Sequence, residues 1–193
     1  MSELPTIETD RTVLRLLLPD QAQLLVDYQL DNRAHLAPWE PLREESFYSL
    51  EAARRRIEDG LQAFADGRAV HFAVFARDSR HDEPDAARII ALCNFSNIVR
   101  GVFQACHLGY SIGHAYQGRG LMREVARAGI GYMFHAVGLH RVMANYMPSN
   151  ERSARLLRKL GFEREGYARA YLKIAGKWED HVLTALINPA LAD

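Results

Sequence analysis

Tyr110-Ser111-Ile112-Gly113-His114-Ala115-Tyr116-Gln117-Gly118-Arg119-Gly120-Leu121-Met122 runs from a β-type stretch through a glycine loop into residues of helical spacing. Glycine lets a backbone turn sharply and come close to a ligand. The first amides of the following helix are unpaired donors at the positive end of its dipole, so a strand, glycine loop and helix in this order suit a phosphate. A tight strand-to-helix turn alone can also call for these glycines. No Lys-Ser or Lys-Thr follows them, as a nucleoside-triphosphate loop needs, and no Gly-x-Gly-x-x-Gly is present, as a dinucleotide fold needs. A diphosphate on another kind of ligand fits better.

Upstream of the loop, Val70 to Phe75, Arg88 to Phe95 and Val102 to Ile112 are β-type runs, separated by turn-like stretches at Asp78 to Asp85 and Asn97 to Gly101. They suit an antiparallel meander. Earlier still, residues 6–18 read as a first strand ended by Pro19. Asp20 is placed as an N-cap for a helix carrying Ala22, Leu24, Leu25, Tyr28 and Leu30, which stops near Asn32. Residues 35–49, with two prolines around Trp39, form an irregular connection, and Leu50 to Ala65 is a second helix closed by Gly67. Its Arg54-Arg55-Arg56 run suits either a solvated face or an acidic partner.

Downstream, a helix from about Leu121 to Val137 leads to a strand at Arg141 to Tyr146. Asn150 to Leu160 is a helix closed by Gly161, and Phe162 to Ile174 with Trp178 to Ile187 form a hairpin around Gly176. The whole reads as one α/β (α+β) domain over residues 1–193, on a mixed, mostly antiparallel sheet flanked by helices.

Composition agrees with that reading. The 193 residues are 48% hydrophobic and 25% charged, with 24 basic and 24 acidic side chains, so bulk charge gives no reason to expect nucleic acid. Cys93 and Cys106 sit in apolar stretches without the spacing of a zinc or dithiol site, and read as reduced core residues. The eight histidines are dispersed, no His-Glu-x-x-His occurs, and no metal is expected. The first residues lack the charge and apolar run of a secretory signal, and no stretch approaches the ~20 apolar residues of a membrane span. A cytoplasmic protein is expected.

The loop resembles that of the GNAT superfamily of acetyl-CoA-dependent N-acetyltransferases, Gln/Arg-x-x-Gly-x-Gly/Ala. Here it reads Gln117-Gly118-Arg119-Gly120-Leu121-Met122, with Met122 where the family carries glycine or alanine. Asn150-Glu151-Arg152-Ser153 followed by Leu160-Gly161-Phe162 resembles the family's second cofactor segment, and the element order agrees along essentially the whole chain. Within GNAT the sequence is most similar to the RimJ/RimL branch. The likeness rests on Ala37-Pro38-Trp39-Glu40-Pro41, Asn94 to Gly101, Leu108 to Gly113, Tyr116 to Met122, Met143 to Pro148 and Asp180 to Leu186. The RimJ-type members acetylate the N-terminal alanine of a small-subunit ribosomal protein.

The resemblance implies the GNAT fold and acetyl-CoA as cofactor, with coenzyme A as co-product. It also implies transfer to an N-terminal α-amine by direct attack on the thioester, with a ribosomal protein as the favoured partner. The main-chain amides from Gln117 through Gly118, Arg119, Gly120, Leu121 and Met122 would hold the diphosphate. Tyr110, Ser111 and Ile112 would line the pantetheine as a strand edge, and Asn145, Asn150 and Ser153 would reach the arm and thiol. Asn150 and Ser153 are equally good helix-start residues.

For the base, His107 stands where the family often has a glutamate two residues before the Gly109-Tyr110 pair, and imidazole has a suitable pKa. Glu165 and the Asp180-His181 pair are further candidates, and a strand histidine with a purely structural role stays open. Some relatives carry an acid near position 170, where this chain has Ala170. Many GNAT enzymes protonate the thiolate with a tyrosine after the asparagine. Here Ala154-Arg155-Leu156-Leu157 offers none, and Ser153 is the nearest hydroxyl. Trp39, Phe95, Tyr146 and Tyr171 line an acceptor cleft or belong to the core.

Two rival readings remain: acetylation of a small amine metabolite or drug, favoured by a deep closed pocket, and a ribosome- or RNA-associated factor that only binds acetyl-CoA. The second has Arg54 to Arg56 and Arg100 as its support. Monomer and homodimer are both open.

Overall fold

The computed structural model describes residues 4–77 and 88–191. The turn read at Asp78 to Asp85 lies outside the described residues. Eight strands form one sheet in the order β1-β2-β3-β4-β5-β6-β8-β7. They are β1 Thr6–Glu8, β2 Thr12–Arg15, β3 Val70–Ala76, β4 Ile89–Val99, β5 Ala105–Ile112, β6 Arg141–Tyr146, β7 Glu163–Ile174 and β8 Lys177–Ile187. The helices are α1 Ala22–Asp31, α2 Arg33–Leu36, α3 Leu50–Ala65, α4 Leu121–His135 and α5 Glu151–Leu160.

Every neighbouring pair is antiparallel except β5 and β6, which the crossover through α4 makes parallel. Their pairing is short. Ala105, Cys106 and His107 face Arg141, Val142 and Met143, and beyond that the strands no longer pair. From Leu108 onward β5 is bonded only to β4, while Ala144 to Tyr146 are bonded only to β8. A V-shaped gap therefore opens in the sheet and points toward the loop after Ile112.

Each face of the sheet carries a core. On one, Val125, Ala126, Ile130 and Met133 of α4 pack on Phe72, Val74, Cys93, Phe95 and Val142. On the other, Leu25, Val26 and Tyr28 of α1 and Ala53 and Ile57 of α3 pack on Ala73 and Phe75. Both cysteines are buried and unbridged.

Local chemistry explains the differences from the sequence reading. The first strand is two, because Thr9 N–H donates to the Thr12 carbonyl at 2.8 Å and the two hydroxyls meet at 2.7 Å, turning the chain between β1 and β2. Asp20 does not cap α1. It lies inside a 3₁₀ turn over Pro19–Gln21, and the Gln21 side chain accepts from Leu18 N–H at 3.1 Å. β4 runs on to Val99 because a bulge, with Asn97 at φ 52°, absorbs the residues read as a turn. The irregular connection contains α2 and 3₁₀ turns at Ala37–Trp39 and Glu45–Tyr48.

Candidate active site

The loop between β5 and α4 has the backbone its glycines promise. Gly118 and Gly120 both sit at φ 75°, in the left-handed region, and no side chain caps the start of α4. The opening amides of α4 thus lack both intrahelical and side-chain partners. The Met122 side chain is buried among core residues, which leaves its amide on the loop side unobstructed by a bulky group. Within 4 Å of where a Gly118 Cβ would stand there is no atom, and near Gly120 there is only the Arg11 guanidinium at 3.8 Å.

Arg11 and Glu124 brace this loop. Arg11 Nη1 donates to the Arg119 carbonyl at 2.9 Å, and Arg11 Nε donates to Glu124 at 2.7 Å. Glu124 also accepts from Arg11 N–H at 2.9 Å and from the Thr9 hydroxyl at 2.6 Å. Burial raises the Glu124 carboxyl, but these hydrogen bonds outweigh it and hold the group below the usual range. A carboxylate in the first helical turn would repel an anion, and Arg11 neutralises it. Neither residue stands out in sequence, since an acid in a first turn needs no explanation beyond the helix dipole.

Gln117 is held from two sides. Its amide nitrogen meets His35 Nε2 at 2.7 Å, and its oxygen accepts from Arg152. Burial, then the neighbouring His114 and Arg152, lower the His35 pKa. The Tyr28 hydroxyl meets Ser111 Oγ at 2.8 Å, tying α1 to the end of β5. Asn150 Oδ1 accepts from Ser153 N–H at 3.0 Å, so Asn150 is an N-cap in fact as well as a cofactor candidate. Ser153 Oγ in turn meets the Tyr110 hydroxyl at 2.5 Å across the gap between α5 and β5. Burial pushes the Tyr110 phenol up to about 12.

Register sets which candidates share a face. His107 pairs with Ser96 and Met143, at the last rung before β5 and β6 part. Its Nδ1 is buried and accepts no hydrogen bond among the described residues, and burial lowers its pKa. Gly109 and Ser111 lie on the same face of β5 as His107, while Tyr110 faces the opposite way. Asn145, on β6, donates to the Tyr171 hydroxyl at 3.3 Å, and Tyr171 packs on His181 with ring centroids 5.5 Å apart. His181 Nδ1 sits 3.0 Å from the Glu179 carbonyl, to which only a protonated nitrogen can donate.

Glu165 is engaged elsewhere. Both its oxygens bind Arg141 Nη1, at 2.7 and 2.8 Å, at the end of β6 away from the loop. Asp180 accepts from Ala170 N–H and the Tyr167 hydroxyl, each at 2.8 Å, and these bonds lower its pKa. Phe95 is not at a cleft. It is fully buried on the α4 face, where a Cβ on Gly129 would stand 2.8 Å from its ring. Tyr146 is half-buried against the same core, and Trp39 is exposed beside Glu40.

On the α1/α3 face a cavity of about 470 Å³ is lined by Tyr28, Glu40, Phe47, Arg56, His71 and Asn94, among others. Burial raises the Glu40 carboxyl there. The tip of the β7–β8 hairpin closes one side, because Ala175 N–H donates to the Glu40 carbonyl at 2.9 Å. The three consecutive arginines of α3 do not form one patch. Arg56 stacks on Phe47 at 3.9 Å inside this cavity, Arg55 pairs with Glu51, and Arg54 is exposed. Among the described residues no group of three or more His, Cys, Asp or Glu is placed to hold a metal, and no helix is long and apolar enough to cross a membrane.

Comparison with known proteins agrees with this geometry. Residues 11–163 match the acetyltransferase (GNAT) domain family. The chain is 49% identical over 183 residues to the [ribosomal protein uS5]-alanine N-acetyltransferase of Escherichia coli (strain K12), covering 95% of this chain and 91% of that protein. A ribosomal-protein-S5-alanine acetyltransferase from Vibrio fischeri superposes with a TM-score of 0.88 at 39% identity, over 98% of this chain and 100% of that one. Mycobacterium smegmatis RimJ in complex with CoA-disulfide shares the fold, with a TM-score of 0.83 at 23% identity over 98% of this chain and 89% of that one.

Proposed function

The chain belongs to the GNAT acetyltransferases, and from that premise we propose that it acetylates the N-terminal alanine of ribosomal protein uS5 in the cytoplasm, using acetyl-CoA. The observation that carries the reading is a conjunction: β5, once it has parted from β6 at His107 and Met143, runs on to Ile112 and feeds through Gly118 and Gly120 into the uncapped start of α4. The choice of acceptor is supported by the Escherichia coli relative, whose likeness spans nearly the whole chain.

The residues present fit the cofactor. Free amides from Gly118 to Met122 suit its diphosphate, with the Arg119 charge beside them. The gap edge at Tyr110, Ser111 and Ile112 suits the amides of the pantetheine arm, with Asn145, Asn150 and Ser153 on the other side. When bound, acetyl-CoA supplies an acetyl thioester open to attack by an amine.

A primary α-amine titrates near 8, so a modest base suffices. His107 fits that role, because burial keeps the imidazole neutral and able to take the proton. In this reading the Ser153 hydroxyl gives a proton to the departing sulfur and Tyr110 replaces it, a role supported by their 2.5 Å contact. Glu165, bound to Arg141, holds the sheet edge instead of reaching the amine. Tyr171, held by Asn145 on β6, is the aromatic candidate with a contact at the gap edge. Holding amine and thioester together accounts for much of the acceleration.

The test is thiol release from acetyl-CoA with three acceptors: a peptide with a free N-terminal alanine, the same peptide blocked there but carrying a free lysine, and a panel of small amines. Release with the free N-terminus alone is the expected result. Release with small amines alone overturns the protein acceptor, and binding without release overturns the enzyme reading.

A further inference from the structure

Gly109 is a glycine without a structural reason. It lies mid-strand in β5, an interior strand of the eight-stranded sheet, where glycine weakens pairing and forgoes side-chain packing. Its backbone is not in the left-handed region, unlike that of Gly67, Gly101, Gly118, Gly120, Gly138, Gly161 and Gly176. Crowding does not explain it either. No heavy atom stands within 4 Å of where its Cβ would be, in contrast to Gly129, and the residue is exposed. A strand glycine with an open face often marks a place where another backbone or a ligand comes close.

Register says what approaches. His71, Asn94 and Gly109 form one row across β3, β4 and β5, so their faces point the same way. His71 and Asn94 line the 470 Å³ cavity, and Gly109 is the next step of that floor. Beyond Gly109 there is no paired strand, because β6 has already parted at His107 and Met143. Along β5 the same face carries His107 on one side and Ser111, tied to the cavity wall by Tyr28, on the other. The opposite face of β5 is taken by Tyr110 and its Ser153 partner. Gly109 is thus the threshold between the cavity and the gap.

We propose that Gly109 determines acceptor specificity: its bare face is the floor over which the acceptor's first residue passes from the cavity to the gap, admitting a small side chain. The inference rests on the reading of the gap as the cofactor side, and it takes the neighbouring cavity, which shares the face of His71, Asn94 and Gly109, as the side from which the acceptor comes. A methyl group at position 109 would stand in the acceptor's path while touching no residue of the diphosphate loop, since no heavy atom lies within 4 Å of where it would be and the loop begins beyond the end of β5 at Ile112.

The experiment compares wild type, Gly109→Ala and Gly109→Val in acetyl-CoA affinity by calorimetry, in melting temperature, and in kcat/KM. The acceptors are peptides beginning with glycine, alanine or valine, and the small-amine panel. Gly109→Ala should lower kcat/KM for the alanine peptide about tenfold relative to the glycine peptide, the size of effect one methyl group has in a fitted pocket. Gly109→Val should depress whichever acceptor the wild type uses, with acetyl-CoA affinity within about twofold of wild type and no fall in melting temperature.

Unchanged kcat/KM in Gly109→Val overturns the inference, and so does loss of acetyl-CoA binding, which would give the open face to the cofactor. A fall in melting temperature would show a structural role and overturn it too. Wild-type activity on small amines alone would overturn the protein-acceptor reading while the Gly109 comparison, run on those amines, still decides this one. A wild type that uses no acceptor overturns both.

Discussion

Arg11 and Glu124 are 113 positions apart, yet Arg11 Nε donates to Glu124 at 2.7 Å and fixes the β1–β2 turn against the first turn of α4. The same guanidinium holds the Arg119 carbonyl, so one side chain sets the loop and cancels the charge that would oppose an anion there. Arg11→Ala should weaken acetyl-CoA binding about tenfold, near the value of a charge-assisted hydrogen bond. In Arg11→Ala/Glu124→Gln, with the stranded carboxylate gone, calorimetry should recover part of that loss. Equal affinity of single and double variants would show that Glu124 contributes no repulsion.

Gly120→Trp should abolish cofactor binding while the domain stays folded. The left-handed backbone at φ 75° makes any side chain costly by about 1–2 kcal/mol, which lowers the melting temperature by a few degrees without unfolding the protein. Circular dichroism and calorimetry separate the two effects. Normal binding by this variant would move the diphosphate elsewhere.

Ser153→Ala removes the partner of a buried phenol, and should cost about 1–3 kcal/mol of stability as well as slowing transfer. Tyr110→Phe leaves the serine hydroxyl in place, so its turnover should fall less. If the serine gives its proton to sulfur, kcat in Ser153→Ala falls while the acceptor KM is kept. A change in KM alone would assign the serine to binding.

The pH profile should carry the histidines. His107, His71 and His35 are all lowered by burial, so each favours the neutral form when folded. Their contribution to stability is present above the unfolded value of about 6.5 and is lost as pH falls through the lower folded values. Denaturant melts should show stability declining below about pH 6.5, and His71→Asn should flatten that decline. On the same reasoning the acid limb of kcat/KM should have its midpoint below the ordinary imidazole value of about 6.5, with the limb absent in His107→Ala and retained in Glu165→Gln. A limb that survives His107→Ala would move the base to His181 or to water.

The parts of the site that were legible in the sequence are the ones settled within a few residues. Gly118 and Gly120 announce a left-handed loop, Asn150 a helix start and Gly161 a helix end, because each acts on its own backbone. Element order followed from periodicity, except where a Thr9 to Thr12 hydrogen bond turned a strand and where an Asn97 bulge carried one on. The braces were not legible: Arg11 to Glu124, Tyr28 to Ser111 and Tyr110 to Ser153 join positions 113, 83 and 43 apart. Phe95 was open to either role in the sequence; it shares the α4 face of β4 with Ala91 and Cys93, and the missing side chain of Gly129 leaves room for its ring. The idle face of Gly109 shows only once the register of three strands is known.

The brief seam between β5 and β6 also has a mechanical meaning. Three rungs, from Ala105 with Arg141 to His107 with Met143, join a five-stranded sheet to a three-stranded one. Such a joint is a crease, stiff along the strands and compliant across them. A molecule wedged into its open end would act as the missing rungs and turn two plates into one.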